Sequence, residues 1–449
     1  MEGERFEVGA FPISRLSPLT AYNRRVTVAT SEPFIVMAKP AGAICNLDCR
    51  YCYYLHKVDL FPAGERFRMS DETLETYMRS FIASSPGPEV HFVWHGGEPT
   101  LLGVAFYRRA VELQRRHAPE GWPIINNLQT NGVALDDEWC AFLAAERFHV
   151  GLSLDGPAQL HDACRADKAG RPTHERVMRA LRRLRRHGIE PDVLCTVNAV
   201  TAPHPVEVYR FFLDHGVTWL QFLPVVQRAP GGGVSEWSVT PEALGDFLCA
   251  VFDEWVRHDV GRIAVQTFED AMRVAMGQRA ILCIFSETCG RMLAMEHDGG
   301  VYACDHFVEP ERRLGEVASA SLSELVDAPR QLAFGRAKRD ALPAYCRACP
   351  VLAYCNGGCP KDRFAAAPGG EPELNYLCAG YRRFFEHAAP YAARVAAIVR
   401  GGGRATSIMT ELRAQESDDE ARWRAASRNG PCPCGSGRKY KQCCLGRRR

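Results

Sequence analysis

The sequence predicts an α/β protein: a partial, TIM-like (β/α)6 barrel, then a cysteine-rich domain, then a small metal-binding module. Three observations predict it. From residue 34 to about 226, short β-rich runs alternate with amphipathic helical stretches, and such alternation implies parallel βα units. Eight cysteines then fall in short turns between residues 283 and 378. Four more lie between residues 432 and 444.

The six strands are "FIVMAKPA", "VHFVWHG", "INNLQTNG", "VGLSLDG", "DVLCTVNAV" and "LQFLPVV". Between them, "DETLETYMRSFIAS" and "FYRRAVELQRRH" open with acids or caps and repeat apolar residues at three and four, as helices do. Chemistry in barrels sits at the C-terminal strand ends, where "HGGEP", "TNG" and "SLDGP" fall. "RAPGGGVSEW" (228–237) reads as a loop, helix-like segments follow to about 280, and residues 399–430 read as a flexible or partly helical connector. The expected divisions are an N-terminal extension (1–33), the barrel (34–240), a helical connector (241–280), the cysteine-rich domain (281–390), a linker (391–428) and the metal module (429–449).

A hydrophobic content of 46% over 449 residues belongs to a folded protein. The 55 Lys and Arg nearly balance 53 Asp and Glu, so nothing points to nucleic acid or an anionic membrane as partner. The arginines of "RALRRLRRHGIE" have helical spacing with Leu181 and Leu184 on the opposite face, the pattern of a solvated helix surface. The N-terminus carries early acids and no apolar h-region, and no run is long enough for a membrane span, so a cytoplasmic location is expected. Nineteen cysteines there do not form a disulfide framework. Metal or cluster ligation accounts for them.

Cys45, Cys49 and Cys52 follow the first strand with C-x3-C-x2-C spacing. Three thiolates hold one face of a 4Fe-4S cluster and leave the fourth iron without a protein ligand, open to a cosubstrate. The competing reading is a zinc site completed by His56.

"CNLDCRYCYY" resembles the signature of radical S-adenosylmethionine (SAM) enzymes, in which SAM chelates the open iron. "HGGEP" resembles that family's second motif, at whose strand end the backbone receives SAM's amino group. The resemblance further implies that Ser153 of "GLSLDGP" and Arg165 of "HDACRAD" bind the SAM carboxylate, roles that suit a hydroxyl and a guanidinium. Tyr51, Gly97 and Val226 fall where relatives touch SAM.

The eight later cysteines suffice for two fully ligated clusters, with zinc ribbons as the competing reading. Their spacing resembles the SPASM extension of peptide-modifying radical SAM enzymes, and in particular the anaerobic sulfatase-maturating enzymes. Carried over by position, Cys283, Cys289, Cys304 and Cys359 hold auxiliary cluster I, and Cys346, Cys349, Cys355 and Cys378 hold auxiliary cluster II. Asp305, directly after Cys304 in "VYACDHF", stands at the place of the family's catalytic base; the plain alternative is a surface turn residue. Tyr54 and His95 are the implied substrate contacts, and His95 departs from a relative that carries glutamine there. The resemblance covers roughly residues 34–390.

At the tail, Cys432, Cys434, Cys443 and Cys444 form C-x-C-x8-C-C within "PCPCGSGRKYKQCC". This resembles the SEC-C module, which implies one structural Zn2+ and a docking role for an unknown partner; so small a unit needs such a staple. The alternative is a basic tail with reactive cysteines. Cys140, Cys164, Cys195 and Cys249 remain as small apolar residues.

The implied cofactors are thus three 4Fe-4S clusters, SAM and one zinc. The implied activity is oxidation of a cysteine or serine side chain in a sulfatase active-site motif to 3-oxoalanine (formylglycine). The deoxyadenosyl radical removes hydrogen from the β-carbon, Asp305 takes the proton, and the Cys283 cluster takes the electron; a cysteine target then gives a thioaldehyde, which water converts to the aldehyde with loss of sulfide. A sulfatase polypeptide is the expected substrate, and flavodoxin or ferredoxin the kind of electron donor. Two rivals stand: another SPASM peptide modifier, forming a thioether or an epimerised residue, and a zinc-rich scaffold. The second leaves "HGGEP", Ser153 and Arg165 unexplained.

Overall fold

The computed structural model describes residues 29–445. The expected N-terminal extension lies outside the described residues as far as residue 28, as do residues 446–449 of the tail.

All six expected strands form: β1 (Ile35–Lys39), β2 (Val90–Trp94), β3 (Ile124–Thr130), β4 (His149–Ser153), β5 (Asp192–Val197) and β6 (Trp219–Pro224). Each pairs in parallel with its chain neighbour. Helices fill the intervals, and their starts are written locally. Ser70 accepts the amide of Thr73 to open Asp71–Ser84, and Asp136 accepts that of Trp139 to open Asp137–Ala145. Such caps satisfy amides that have no partner inside the helix. The arginine-rich helix His174–Arg186 buries Val177, Leu181 and Leu184 and turns its arginines outward to acids such as Glu175 and Glu190, as expected.

The sheet is wider than the six strands. A short β7 (Ala264–Val265) adds beside β6, while β8 (Met292–Glu296) adds in parallel to the other edge of β1. Antiparallel β9 (Gly300–Tyr302) and β10 (Arg313–Glu316) complete the order β10-β9-β8-β1-β2-β3-β4-β5-β6-β7. The cysteine-rich segment therefore shares one sheet with the six parallel strands rather than hanging behind them. Physically, β8 occupies an edge of β1 whose amides and carbonyls need partners. The pairing sets Lys39 opposite Glu296, both fully buried at the C-terminal end of the sheet.

Two apolar cores back the sheet. One surrounds β1–β3 and includes Tyr77, Phe81, Phe92, Trp94 and Tyr107. The other surrounds β5 and β6 with Phe247, Phe252, Trp255, Phe268 and Phe384 from the later helices. The helix Cys378–Arg400 runs unbroken through the boundary expected at 390. The following helix, Ser407–Arg424, packs rather than floats: Ile408 and Leu412 are buried, and Glu416 accepts from Arg257 Nε at 2.8 Å. Cys140, Cys164 and Cys195 are buried and Cys249 half-buried, in keeping with small apolar residues. Among the described residues no helix is long and apolar enough to cross a membrane.

Candidate active site

The loop leaving β1 carries Cys45, Cys49 and Cys52 and is stitched to the end of β2 by backbone bonds. Gly97 N–H donates to the Gly42 carbonyl and Glu98 N–H to the Ile44 carbonyl, both at 2.8 Å. The buried Glu98 carboxylate then accepts from the amide of Asn131 (2.8 Å) and the hydroxyls of Thr100 (2.5 Å) and Thr130 (2.8 Å). Asn131 reaches back, donating to Asn46 Oδ1 at 2.7 Å and lying 3.7 Å from Cys45 Sγ. "HGGEP" and "TNG" thus frame the cysteine loop.

Burial pushes the Cys45 thiol up to about 12 and that of Cys49 up to about 11, and each feels the charge of its neighbours in the triad. Thiols so placed stay protonated unless a metal takes the proton's place. A cluster face fits this donor set. His56 does not join it: the residue is exposed, and the charges acting on it are those of Lys57, Asp59 and Glu309.

Beside the triad, Arg165 grips Asp155 through Nε (2.8 Å) and a terminal nitrogen (3.4 Å). Tyr51 donates its hydroxyl to the same carboxylate, and the Thr196 amide donates at 2.8 Å. Burial raises the Asp155 carboxyl, but Arg165 more than offsets it and holds the group below its usual range. Arg165 also acts on Cys49, so the guanidinium lies near the triad. Ser153 accepts from Gln129 Nε2 at 3.1 Å. Val226 lies just past β6, half-buried. The sequence reading missed Asp155 as the anchor of Arg165, although "SLDGP" places an acid two residues after Ser153.

Asp305 opens a single helical turn (Asp305–Phe307) directly after Cys304. It is buried, not a surface turn residue. Lys39 ion-pairs with one of its oxygens, and Tyr53 donates its hydroxyl to the other. Lys39 Nζ also lies 3.2 Å from His95 Nδ1 and 4.4 Å from the centre of the Tyr54 ring. Burial alone would raise the Asp305 carboxyl; Lys39, with smaller help from His95 and His306, holds it well below the carboxylate range. Burial and then Lys39 push His95 down to about 4, so its ring is neutral. Tyr54 is buried and donates its hydroxyl to Glu296. Lys39, Tyr53 and Glu296 escaped the sequence reading; the one available signal was a lysine ending an otherwise apolar strand.

The remaining thiols sort by neighbourhood into the two expected sets. Cys304 interacts with Cys283 and Cys359, and Cys289 with Cys359. Cys355 interacts with Cys346, Cys349 and Cys378, and these four line one small cavity. Buried Lys338 donates to the carbonyls of Cys283 (2.8 Å) and Ile284 (3.0 Å), and Arg363 donates to Lys338 O and to the Gly357 carbonyl (3.0 Å). Two buried cations beside eight thiols suit thiolate–iron clusters, whose net charge is negative.

At the tail, the sulfurs of Cys432, Cys434, Cys443 and Cys444 all lie within 4.8 Å of one another. Among the described residues this is the one compact group of such ligands. Zn–S bonds of about 2.3 Å place tetrahedral sulfurs about 3.8 Å apart. The tail is therefore spaced for a single ion.

Three family models match the chain: the radical SAM superfamily over residues 40–211, an iron-sulfur cluster-binding SPASM domain over 283–350, and the SEC-C motif over 428–446. A serine-type anaerobic sulfatase-maturating enzyme of Bacteroides thetaiotaomicron is 43% identical over 80% of this chain and 91% of its own length. A cysteine-type enzyme of Clostridium perfringens is 32% identical over 81% of this chain and 98% of its own. Among solved structures, native anSMEcpe with bound AdoMet and peptide matches at a TM-score of 0.74 and 32% identity, covering 82% of this chain and 100% of that one.

Proposed function

This chain belongs to the anaerobic sulfatase-maturating enzymes of the radical SAM superfamily, and we propose that it oxidises a cysteine or serine in a sulfatase active-site motif to 3-oxoalanine. One observation carries the reading: a buried carboxylate, Asp305, ion-paired with Lys39 at the end of β1, directly follows Cys304.

Cys45, Cys49 and Cys52 hold the SAM cluster. Cys283, Cys289, Cys304 and Cys359 hold auxiliary cluster I, and Cys346, Cys349, Cys355 and Cys378 hold auxiliary cluster II. When bound, SAM and the clusters supply hydrogen-atom removal from an unactivated carbon and a sink for one electron. The chain's own residues do the rest. Arg165, fixed by Asp155 and stacked on the Tyr51 ring, presents the side of its guanidinium that faces Cys49 to the SAM carboxylate, with Ser153 as second donor. Gly97 and Val226 bound the same pocket. Asp305 accepts the proton from the side-chain sulfur or oxygen of the target residue, which requires the ionised form that Lys39 favours. His95 and Tyr54 flank the substrate residue.

The four tail thiols hold one zinc and form a docking element. The protein works in the cytoplasm, on a sulfatase polypeptide, with a flavodoxin- or ferredoxin-type donor.

The test is anaerobic incubation with SAM, a reductant and matched cysteine and serine peptides from a sulfatase. Deoxyadenosine and a peptide aldehyde are expected. Asp305→Asn should release deoxyadenosine with little aldehyde; undiminished aldehyde would reject the base. A crosslinked or epimerised peptide instead of an aldehyde would move the chain to another branch of peptide modifiers.

A further inference from the structure

We propose that Lys39 is a positioning residue: its buried ammonium holds the Asp305 carboxylate and, together with the Gly96 amide, keeps His95 Nδ1 an acceptor, so that a proton acceptor and a hydrogen-bond donor face one substrate residue. The inference rests on the maturase reading above.

Lys39 ends β1 and has no exposed surface. An ammonium buried this deeply is strongly disfavoured unless paired. Here it is held three ways: by Asp305, by His95 Nδ1 at 3.2 Å, and over the Tyr54 ring at 4.4 Å. Glu296, opposite it on β8, supplies a second buried carboxylate through Tyr54.

The imidazole follows from the same contact. Lys39 Nζ has only protons to offer, and the Gly96 amide donates to the same Nδ1 at 2.8 Å. Nδ1 must therefore be an acceptor, and the ring proton sits on Nε2. The hydrogen bonds of His95 among the described residues both fall on Nδ1, and the ring is only half-buried, so the Nε2 N–H is open to a ligand at the strand end. The carboxylate is fixed as well, because Tyr53 holds its second oxygen while Lys39 holds the first. One strand-borne ammonium thus sets the spacing of two groups that the chain supplies from different loops. Strands place such groups more rigidly than loops do.

Removing the ammonium should misplace both groups. In full-length, cluster-reconstituted protein, Lys39→Met should lower aldehyde formation about 100-fold, the cost of roughly an ångström of misplacement. Deoxyadenosine should fall far less, so its ratio to aldehyde rises. Binding of a fluorescent sulfatase peptide, read by anisotropy, should weaken about fivefold, the worth of one hydrogen bond. A second pair of variants tests the tautomer. Glutamine offers the same order of acceptor toward Lys39 and donor toward the cleft, whereas leucine offers neither. His95→Gln should therefore recover at least roughly tenfold of the activity that His95→Leu loses.

Unchanged product ratio in Lys39→Met, or equal losses in the two His95 variants, overturns the proposal. Should Lys39→Met fail to take up iron, the His95 pair decides alone. Wild-type protein that yields no aldehyde from any sulfatase peptide overturns the maturase reading instead, a separate result.

Discussion

A methyl group on Gly97 would stand 2.1 Å from the carbonyl oxygen of Ile44, one residue before the first cysteine of the triad. Backbone cannot yield at that distance without moving the loop, since the next amide, that of Glu98, is bonded to the same carbonyl at 2.8 Å. Gly97→Ala should therefore disturb the triad loop and spare the distant thiol sets. With the three four-iron clusters proposed above, anaerobic reconstitution should load about eight rather than about twelve iron per chain. Full iron loading with normal SAM binding would show that the close approach is not needed.

The pairing of Arg165 with Asp155 predicts a different failure. The carboxylate takes Nε and one terminal nitrogen, and the rest of the guanidinium faces Cys49, where we propose the ligand carboxylate binds. Lysine keeps the charge but has no fork to serve both partners. Arg165→Lys should weaken SAM binding roughly tenfold, the worth of one charge-assisted hydrogen bond. Iron content should stay as in wild type, because the triad does not depend on Arg165 for ligands. Calorimetric titration of oxidised, reconstituted protein with SAM measures the first, and iron assay the second.

These predictions separate what local sequence encodes from what it does not. The six parallel strands and the three cysteine groups were legible because period and spacing are local properties. Strand β8 was not. "MLAME" is five residues, apolar without alternation, and its role as the neighbour of β1 depends on a pairing across most of the chain. Lys39 was hidden for a similar reason: a lysine ending an apolar strand has no meaning until β8 and β9 bring Asp305 beside it. The helix Ser407–Arg424 reads as a polar connector because it buries little beyond Ile408 and Leu412, and its salt bridge to Arg257 is a tertiary fact.

The tail should separate from the body by metal content. Its four sulfurs lie within 4.8 Å of one another, too compact for a cubane and suited to a single tetrahedral ion. Cys443→Ser should therefore abolish binding of the proposed zinc while leaving iron and sulfide unchanged. Elemental analysis of the full-length protein decides it. Loss of iron in step with zinc would place the tail thiols in the cluster chemistry.

Acid should destabilise the fold through His161, and the sign follows from its partners. The Asp155 amide donates to Nδ1 at 3.2 Å, so the proton sits on Nε2, which donates to Thr173 Oγ1 at 3.0 Å; the Thr173 hydroxyl passes on to the Arg165 carbonyl at 2.8 Å. The ring is fully buried, and burial pushes it from 6.5 down to about 3. Between those values the unfolded chain binds a proton that the folded chain refuses. Stability must then fall as pH drops below about 6.5, by up to about 1.4 kcal/mol per pH unit for this group, and level off only near its folded value. Glutamine offers an acceptor to Asp155 N–H and a donor to Thr173 without titrating. His161→Gln should therefore unfold at a urea midpoint less sensitive to acid, with about 2 kcal/mol less stability lost between pH 7 and pH 5 than in wild type. Parallel wild-type and variant curves over that range would show that His161 takes up its proton in the folded state.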